Sequence, residues 1–196
     1  WHISLSTWFR DYLYIPLGGS RGGTWMKVRN TFIIFIVSGF WHGANWTFIA
    51  WGALNAIYFL PVLLTKNNRK NLDTVADGNY LPSLKEFSSI ALTFGLTVIA
   101  WVFFRAVNIG HAFDILSEIF SNSLFQIPKS GTTYISTLKL LSFFIIIEWL
   151  GRKNRFAIEV FPTQFKSWMR WGFYYSLLIL IILNISKPEQ FIYFQF

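Results

Sequence analysis

A run of 34 residues, from Thr31 to Leu64, contains no Asp, Glu, Lys or Arg. The hydrocarbon core of a bilayer is about 30 Å thick, and an α-helix crosses it in about 20 residues. The run is therefore too long for one crossing and too short for two full ones. Its polar side chains are concentrated near its centre, between Ser38 and Asn45. Any fold of this chain has to accommodate a long apolar segment with a polar middle.

The composition of the chain indicates that lipid is its solvent. Hydrophobic residues make up 54 % of the 196 residues and charged residues 13 %, whereas soluble domains carry about 25 % charged residues. So little polar surface cannot cover a water-soluble body. Three further apolar segments, 88–104, 134–150 and 168–185, are long enough for membrane helices. The sequence therefore predicts an all-α, polytopic protein with a single membrane domain over 1–196.

The basic residues lie between the apolar segments, and the net charge is +8. A nucleic-acid-binding chain would cluster them on a solvated face, so we expect no nucleic acid partner. Lys and Arg instead mark the cytoplasmic loops of membrane proteins. If the run 31–64 crosses once, the two sides hold seven and nine of these residues, and if it returns they hold thirteen and three. The positive-inside rule favours the return, and we predict a bent or re-entrant helix pair with Gly39–Asn45 at its turn.

Residues 1–30 are predicted to form a segment in the membrane interface. Apolar and aromatic residues recur at spacings of three and four, which predicts one face of a short helix: Trp1, Leu5, Trp8, Phe9 and Tyr12. Pro16 and the glycines after it end this helix. The stretch Gly18–Gly23 could bind a phosphate through its backbone and Arg21. It lacks the nucleotide-binding patterns, and a tight turn is the favoured interpretation.

His42 lies in the middle of the uncharged run, and an ionisable residue at membrane depth suggests a function. A neutral imidazole can take the proton of a hydroxyl group as its oxygen attacks an acyl carbonyl. Gly39 and Gly43 flank His42 and would let a substrate or another backbone approach closely. Ser38 and Asn45 are near enough in sequence to orient the ring or to donate to an oxyanion. A structural histidine that bridges two helices is the alternative, and the residues alone leave both open.

The other candidate residues point less clearly to chemistry. His2 lies on the aromatic face of the first segment, where packing is the more frequent role, and His111 is predicted to lie in a solvated loop. Arg10 and Asp11 are predicted to form a local ion pair. The chain has no cysteine, which excludes a cysteine acyl-enzyme within it. Neither histidines nor carboxylates have the spacing of metal ligands, so no metal site is predicted.

Three stretches of the chain resemble motifs of the membrane-bound O-acyltransferase (MBOAT) family. Residues 1–19, WHISLSTWFRDYLYIPLGG, resemble the family signature, and residues 38–43, SGFWHG, are similar to its second histidine motif. The final FIYFQF resembles the C-terminus of the bacterial branch that includes the alginate O-acetylation and teichoic-acid D-alanylation proteins. These motifs occur in the family's order, whereas 66–170 matches only in hydropathy. We expect the chain to be the C-terminal part of a longer protein.

The resemblance implies the transfer of an acetyl or other acyl group from a thioester to a hydroxyl of an exported polysaccharide or envelope glycan. It implies that His42 is catalytic and His2 a second site residue, and we add Asn45, Ser38 and Arg10 as candidate substrate-binding residues. No bound cofactor is expected, and the donor would be acetyl-CoA or an acyl-carrier thioester. Further expected partners are the lipid bilayer and an envelope-side acyl-transfer protein or glycan acceptor.

The fold that the resemblance implies is a ring of tilted helices around a central tunnel, in a multi-pass protein of the bacterial inner membrane. A polytopic transporter or scaffold subunit with structural histidines is the alternative from another functional class. A transporter would show charged residues in several spans together with repeat symmetry. The sequence shows neither feature.

Overall fold

The computed structural model describes residues 3–65, 67, 73–122, 131–159, 163 and 165–185. Over these residues the regular secondary structure is entirely helical, which confirms the all-α prediction. The helices are α1 (Ile3–Phe9), which continues as a one-turn π-helix (Arg10–Tyr14), α2 (Thr24–Trp41), α3 (Trp46–Leu64), α4 (Leu84–Arg105), α5 (Ile109–Ile119), α6 (Gly131–Gly151) and α7 (Ser167–Leu183).

Among the described helices, α3 and α4 are long and apolar enough to cross a bilayer, and α7 is a shorter apolar helix. The predicted spans 88–104, 134–150 and 168–185 fall on α4, α6 and α7. Large apolar side chains on these helices are exposed, among them Leu92, Phe94, Phe144, Ile145, Ile179 and Ile182. A water-soluble monomer rarely exposes apolar patches of this extent, whereas lipid would cover them.

The chain divides into two compact units, residues 1–126 and 127–196. The first unit holds α1 to α5 and the second holds α6 and α7. In the second unit a tight turn follows α6, where the Arg152 guanidinium lies 4.5 Å from the Trp149 ring centre. The same guanidinium donates a hydrogen bond to the Trp149 carbonyl oxygen at 2.8 Å. That both units form a single membrane domain stays a prediction.

Helices α2 and α3 form an antiparallel hairpin in which the two backbones touch. Gly39 of α2 lies against the Phe48 backbone, and Gly52 of α3 lies against the Phe35 backbone. A Cβ atom at either glycine would overlap the facing carbonyl oxygen. Small residues allow such close approach between helices in membranes. The uncharged run therefore returns on itself, and the connection between the helices, residues 42–45, lies within the predicted turn 39–45.

The turn of the hairpin has the residues that its backbone requires. His42 follows α2 as its C-cap, and its N–H donates to the Gly39 carbonyl oxygen at 3.0 Å. Gly43 has a φ of +146°, which L side chains rarely adopt. Asn45 is the N-cap of α3, because its Oδ1 accepts the Thr47 backbone N–H at 3.1 Å. These residues set where one helix stops and the next begins.

Helices α4 and α5 meet at a short elbow, residues 106–108, and both pack on α3. Buried at this junction are Phe103, Ala106 and Ala112, with Ala50, Trp51 and Leu54 of α3 packed against them. The Oδ1 of Asn108 caps α5 by accepting the His111 backbone N–H at 2.8 Å. The prediction that His111 lies in a loop is therefore wrong, because α5 begins at Ile109 and His111 lies in its first turn.

Helix α1 and the π-helix occupy the segment that was predicted to lie in the interface. Phe9 is buried whereas Trp8 and Tyr12 are exposed, so the aromatic residues divide between the protein and its surroundings. Arg10 and Asp11 form the predicted ion pair at 2.7 Å, and this hydrogen bond lowers the pKa of the Asp11 carboxyl. Both groups are exposed, and such pairs stabilise a fold little. The interfacial position stays a prediction.

The glycine-rich stretch after this segment is a turn, as predicted, and Asn30 holds it. The Asn30 side chain is fully buried, and its Nδ2 donates to the carbonyl oxygens of Leu17 at 3.2 Å and Gly19 at 3.0 Å. Gly18 and Gly19 have φ angles of +96° and +56°, which favour glycine. The buried Asn30 amide therefore stabilises the turn by donating hydrogen bonds to two of its carbonyl oxygens.

Replacing Asn30 with Ala should loosen this turn. The Gly19 carbonyl oxygen would lose its Asn30 donor, whereas the Leu17 carbonyl oxygen would keep the Arg29 guanidinium as a donor at 3.2 Å. We expect a cost of about 1–3 kcal/mol and faster proteolysis between residues 18 and 23 of the membrane-inserted protein. Asn55→Ala is the matched control, because the Asn55 amide donates to the Trp51 carbonyl oxygen of its own helix. If both variants are cleaved between residues 18 and 23 at the same rate, Asn30 does not hold the turn.

Candidate functional site

His42 is buried, with 4 % of its surface exposed, and aromatic rings surround its imidazole. The ring centres of Trp41, Phe48, Trp51 and Phe104 lie 5.2, 6.2, 5.3 and 5.1 Å from that of the imidazole. We call these four residues the aromatic cage. Because they come from α2, α3 and α4, the imidazole lies where these helices meet.

Contacts between the rings fix the shape of the aromatic cage. Phe104 contacts Phe48 at 5.0 Å and Trp51 at 5.3 Å, both edge to face. Phe104 also contacts Trp101, one turn earlier on α4, at 4.9 Å. Aromatic pairs of this kind contribute about 0.5–1.5 kcal/mol each beyond the area they bury. The imidazole is therefore held in one orientation by packing from several sides, and bulk water is kept from it.

Asn45 connects the hairpin turn to the elbow between α4 and α5. It is half-buried, and besides capping α3 its Nδ2 donates to the Val107 carbonyl oxygen at 2.9 Å. Its predicted role was to bind substrate or orient the His42 ring. A substrate contact would have to use the second Nδ2 hydrogen or the second Oδ1 lone pair. That role stays a prediction, while the two backbone contacts are part of the fold.

Arg10 and Ser38 are distant in sequence but line one groove of about 500 Å³. Its walls come from α1, the π-helix, the glycine turn, α2 and α3, and they combine aromatic and aliphatic side chains with hydroxyl groups. The Tyr14 hydroxyl and the Ser20 hydroxyl in this wall lie 2.8 Å apart. Apolar walls with a few polar groups are typical of sites for small molecules. The structure thus brings together two of the three predicted substrate-binding residues.

The remaining histidines do not join His42 within the described part of the chain. His2 lies outside the described residues. His111 is exposed in the first turn of α5, where its Nδ1 accepts the Val107 backbone N–H at 3.3 Å. Over the described residues, no three His, Cys, Asp or Glu side chains lie together in an arrangement that could hold a metal ion.

Trp41 lies in the motif at residues 38–43, but the other residues of the aromatic cage were not singled out from the sequence. Phe48 and Trp51 lie three residues apart on α3, and this spacing could have indicated one helix face next to His42. Phe104 gave no such indication, since aromatic residues make up 20 % of the chain and a lipid-facing ring has the same sequence pattern. Only the packing of α4 on α3 identifies it as a neighbour of the imidazole.

Known proteins similar to this chain include O-acetyltransferases and a D-alanyltransferase. The profile of MBOAT, the membrane-bound O-acyltransferase family, matches residues 1–107, which include His42 and the whole aromatic cage. The chain is 33 % identical over its full length to the probable alginate O-acetylase AlgI of Pseudomonas putida. It is 30 % identical, again over its full length, to the peptidoglycan O-acetyltransferase of Helicobacter pylori.

A third relative matches a shorter part of the chain. The teichoic acid D-alanyltransferase of Lacticaseibacillus rhamnosus is 31 % identical over 29 % of this chain. The chain spans 42 % of the Pseudomonas putida relative, 39 % of the Helicobacter pylori relative and 16 % of the Lacticaseibacillus rhamnosus relative. No solved structure matches it significantly.

Proposed function

The chain belongs to the membrane-bound O-acyltransferase family, and from that premise we propose that it moves an acetyl or other acyl group from a thioester donor toward a hydroxyl of an exported polysaccharide or envelope glycan. The buried imidazole of His42 within the aromatic cage is the observation that carries this proposal. The relatives named for alginate, peptidoglycan and teichoic acid supply the acceptor class by analogy.

His42 acts as the general base in the proposed reaction. A ring nitrogen takes the proton of the acceptor hydroxyl while the hydroxyl oxygen attacks the thioester carbonyl carbon. The tetrahedral intermediate then expels the thiolate, which takes the proton back from the imidazolium. The ester is formed and a free thiol is released, with no net change at the histidine. Positioned bases of this kind contribute about 10²–10⁴-fold to the rate.

Burial of His42 limits the access of bulk water to the imidazole. The aromatic cage leaves 4 % of the residue exposed, so little water can reach the ring. Exclusion of water from a closed site suppresses hydrolysis of the reactive donor and strengthens the electrostatic interactions within it. We assign His2, which matches the other histidine of the family motifs, as the second catalytic residue.

The groove that Arg10 and Ser38 line is the place we assign to the donor. Coenzyme A and carrier-bound pantetheine both carry phosphate, and the stretch 1–30 contributes four of the chain's basic residues. Apolar walls in the groove would take the acyl and pantetheine portions, and its hydroxyl groups would bind their amides. The donor then approaches from the basic, cytoplasmic side of a multi-pass protein in the bacterial inner membrane. The acceptor or its acyl-transfer partner protein lies on the envelope side.

Transfer of label from a thioester tests this function directly. Inner-membrane vesicles that hold the full-length protein should move label from acetyl-CoA, or from a charged acyl-carrier protein, into an alkali-labile ester on added glycan. Vesicles without the protein are the control for background transfer. A transporter or scaffold subunit would leave the label on the donor when no other acyltransferase is present, and that result with folded protein would contradict the proposal.

A further inference from the structure

We propose that Asn45 is a positioning residue for His42, and that it acts through two backbone contacts rather than by touching substrate. Its carboxamide joins the hairpin turn, which carries His42, to the α4–α5 elbow, which follows Phe104. The role rests on the proposed function of His42, since positioning matters only if the imidazole takes part in the reaction.

Two parallel connections link the turn to the end of α4. The His42 ring contacts the Phe104 ring at 5.1 Å, and the Asn45 Nδ2 donates to the Val107 carbonyl oxygen at 2.9 Å. His42 and Asn45 are three residues apart in the turn, and Phe104 and Val107 are three residues apart at the end of α4. The hydrogen bond therefore holds the turn and the elbow at the separation at which the ring contact forms. Packed rings can slide past each other, whereas a hydrogen bond is directional. The hydrogen bond therefore fixes the register between the turn and the elbow.

Val107 lies in the elbow between two helices, so no helix satisfies its backbone groups. Its carbonyl oxygen accepts from Asn45, and its N–H donates to the Nδ1 of His111. Val107 is exposed, and water can replace the Asn45 donor if it is removed. Loss of the contact should therefore cost little stability, while the register of the turn would no longer be fixed.

The two atoms of the Asn45 carboxamide have separable tasks. Oδ1 caps α3 by accepting the Thr47 N–H at 3.1 Å, and Nδ2 makes the connection to Val107. Asp at position 45 would keep the cap, because a carboxylate oxygen accepts the same N–H. It would also set a carboxylate oxygen against the Val107 carbonyl oxygen and break the connection. Ser would keep a cap and remove the Nδ2 amide that donates to Val107, without adding a charge.

Asn45→Asp and Asn45→Ser in the full-length protein should lower kcat by about 10- to 100-fold, because displacing a catalytic group by about 1 Å can have an effect of that size. The KM for acetyl-CoA should stay within about twofold of wild type. Asn108→Asp is the matched control, since the Oδ1 of Asn108 caps α5 as the Oδ1 of Asn45 caps α3. Its kcat should equal that of wild type.

The spectrum of His42 tests the inference apart from activity. In full-length protein labelled with ¹³C,¹⁵N-histidine, the His42 signals can be assigned by their loss in His42→Ala. Asn45→Asp should shift or broaden them, because the imidazole lies among the four rings of the aromatic cage and its chemical shifts depend on its position relative to them. Asn108→Asp should leave the signals in place. Unchanged His42 signals in Asn45→Asp, or a raised KM at wild-type kcat, would overturn the inference. Retained transfer in His42→Phe would instead overturn the proposed function.

Discussion

His42→Phe in the full-length protein should lower the rate of acyl transfer by at least about 100-fold, with wild-type abundance in the membrane. Phe preserves a planar ring among Trp41, Trp51 and Phe104, so the aromatic cage can still close. It removes both ring nitrogens and with them the base. The rate should be measured as labelled ester formed per molecule of protein, with abundance determined by immunoblot.

His42→Ala is the companion variant, because it removes the base and also leaves a hole in the aromatic cage. If His42 is catalytic, Phe and Ala should lower the transfer rate equally, and only Ala should lower thermal stability. If His42 is structural and bridges helices through its nitrogens, Phe should lower abundance while each remaining molecule keeps its rate. The second outcome would rule out the general-base role.

Gly39→Ala and Gly52→Ala should each destabilise the hairpin by at least about 3 kcal/mol, the upper end of ordinary overpacking penalties. An added Cβ would overlap a backbone oxygen of the facing helix, at Phe48 or Phe35, and backbone cannot move aside as a flexible side chain can. We expect a sharp fall in folded, membrane-inserted protein. The melting temperature of the purified protein in detergent measures the effect.

Gly95→Ala is the control for this experiment. Gly95 lies within α4, where an added Cβ would meet no atom within 4 Å. Ala is favoured over Gly inside a helix by about 0.5–1 kcal/mol, so this variant should be as stable as wild type or slightly more so. If Gly39→Ala behaves in the same way as Gly95→Ala, the two helix backbones do not touch.

Much of the fold could be predicted from the length of the apolar segments and the positions of the charged residues. The run 31–64 was too long for one span, and the distribution of Lys and Arg favoured a return near Gly39–Asn45, where the structure has its turn. Gly39 was expected to permit the approach of substrate or backbone, and it faces backbone. These predictions succeeded because helix length and the cost of charge in lipid act locally along the chain.

The surroundings of His42 could not be predicted in the same way. The Phe104 ring and the Val107 carbonyl lie far from the hairpin in sequence, and the Asn45–Val107 pair is separated by 62 residues. Nothing in the local pattern of α4 distinguishes a ring that faces a histidine from one that faces lipid. The partner of Asn45 is a backbone atom, which has no sequence signature. Such contacts depend on how α4 packs against α3.

The sequence distance between these contacts also implies an order of assembly during biosynthesis. The contacts at Gly39 and Gly52 join residues within a short stretch of chain, so the hairpin can form soon after its two helices leave the ribosome. Phe104 is synthesised much later, and until it arrives the imidazole has one open side. We therefore expect a nascent chain with a paired hairpin and an accessible His42, which becomes enclosed only when α4 inserts.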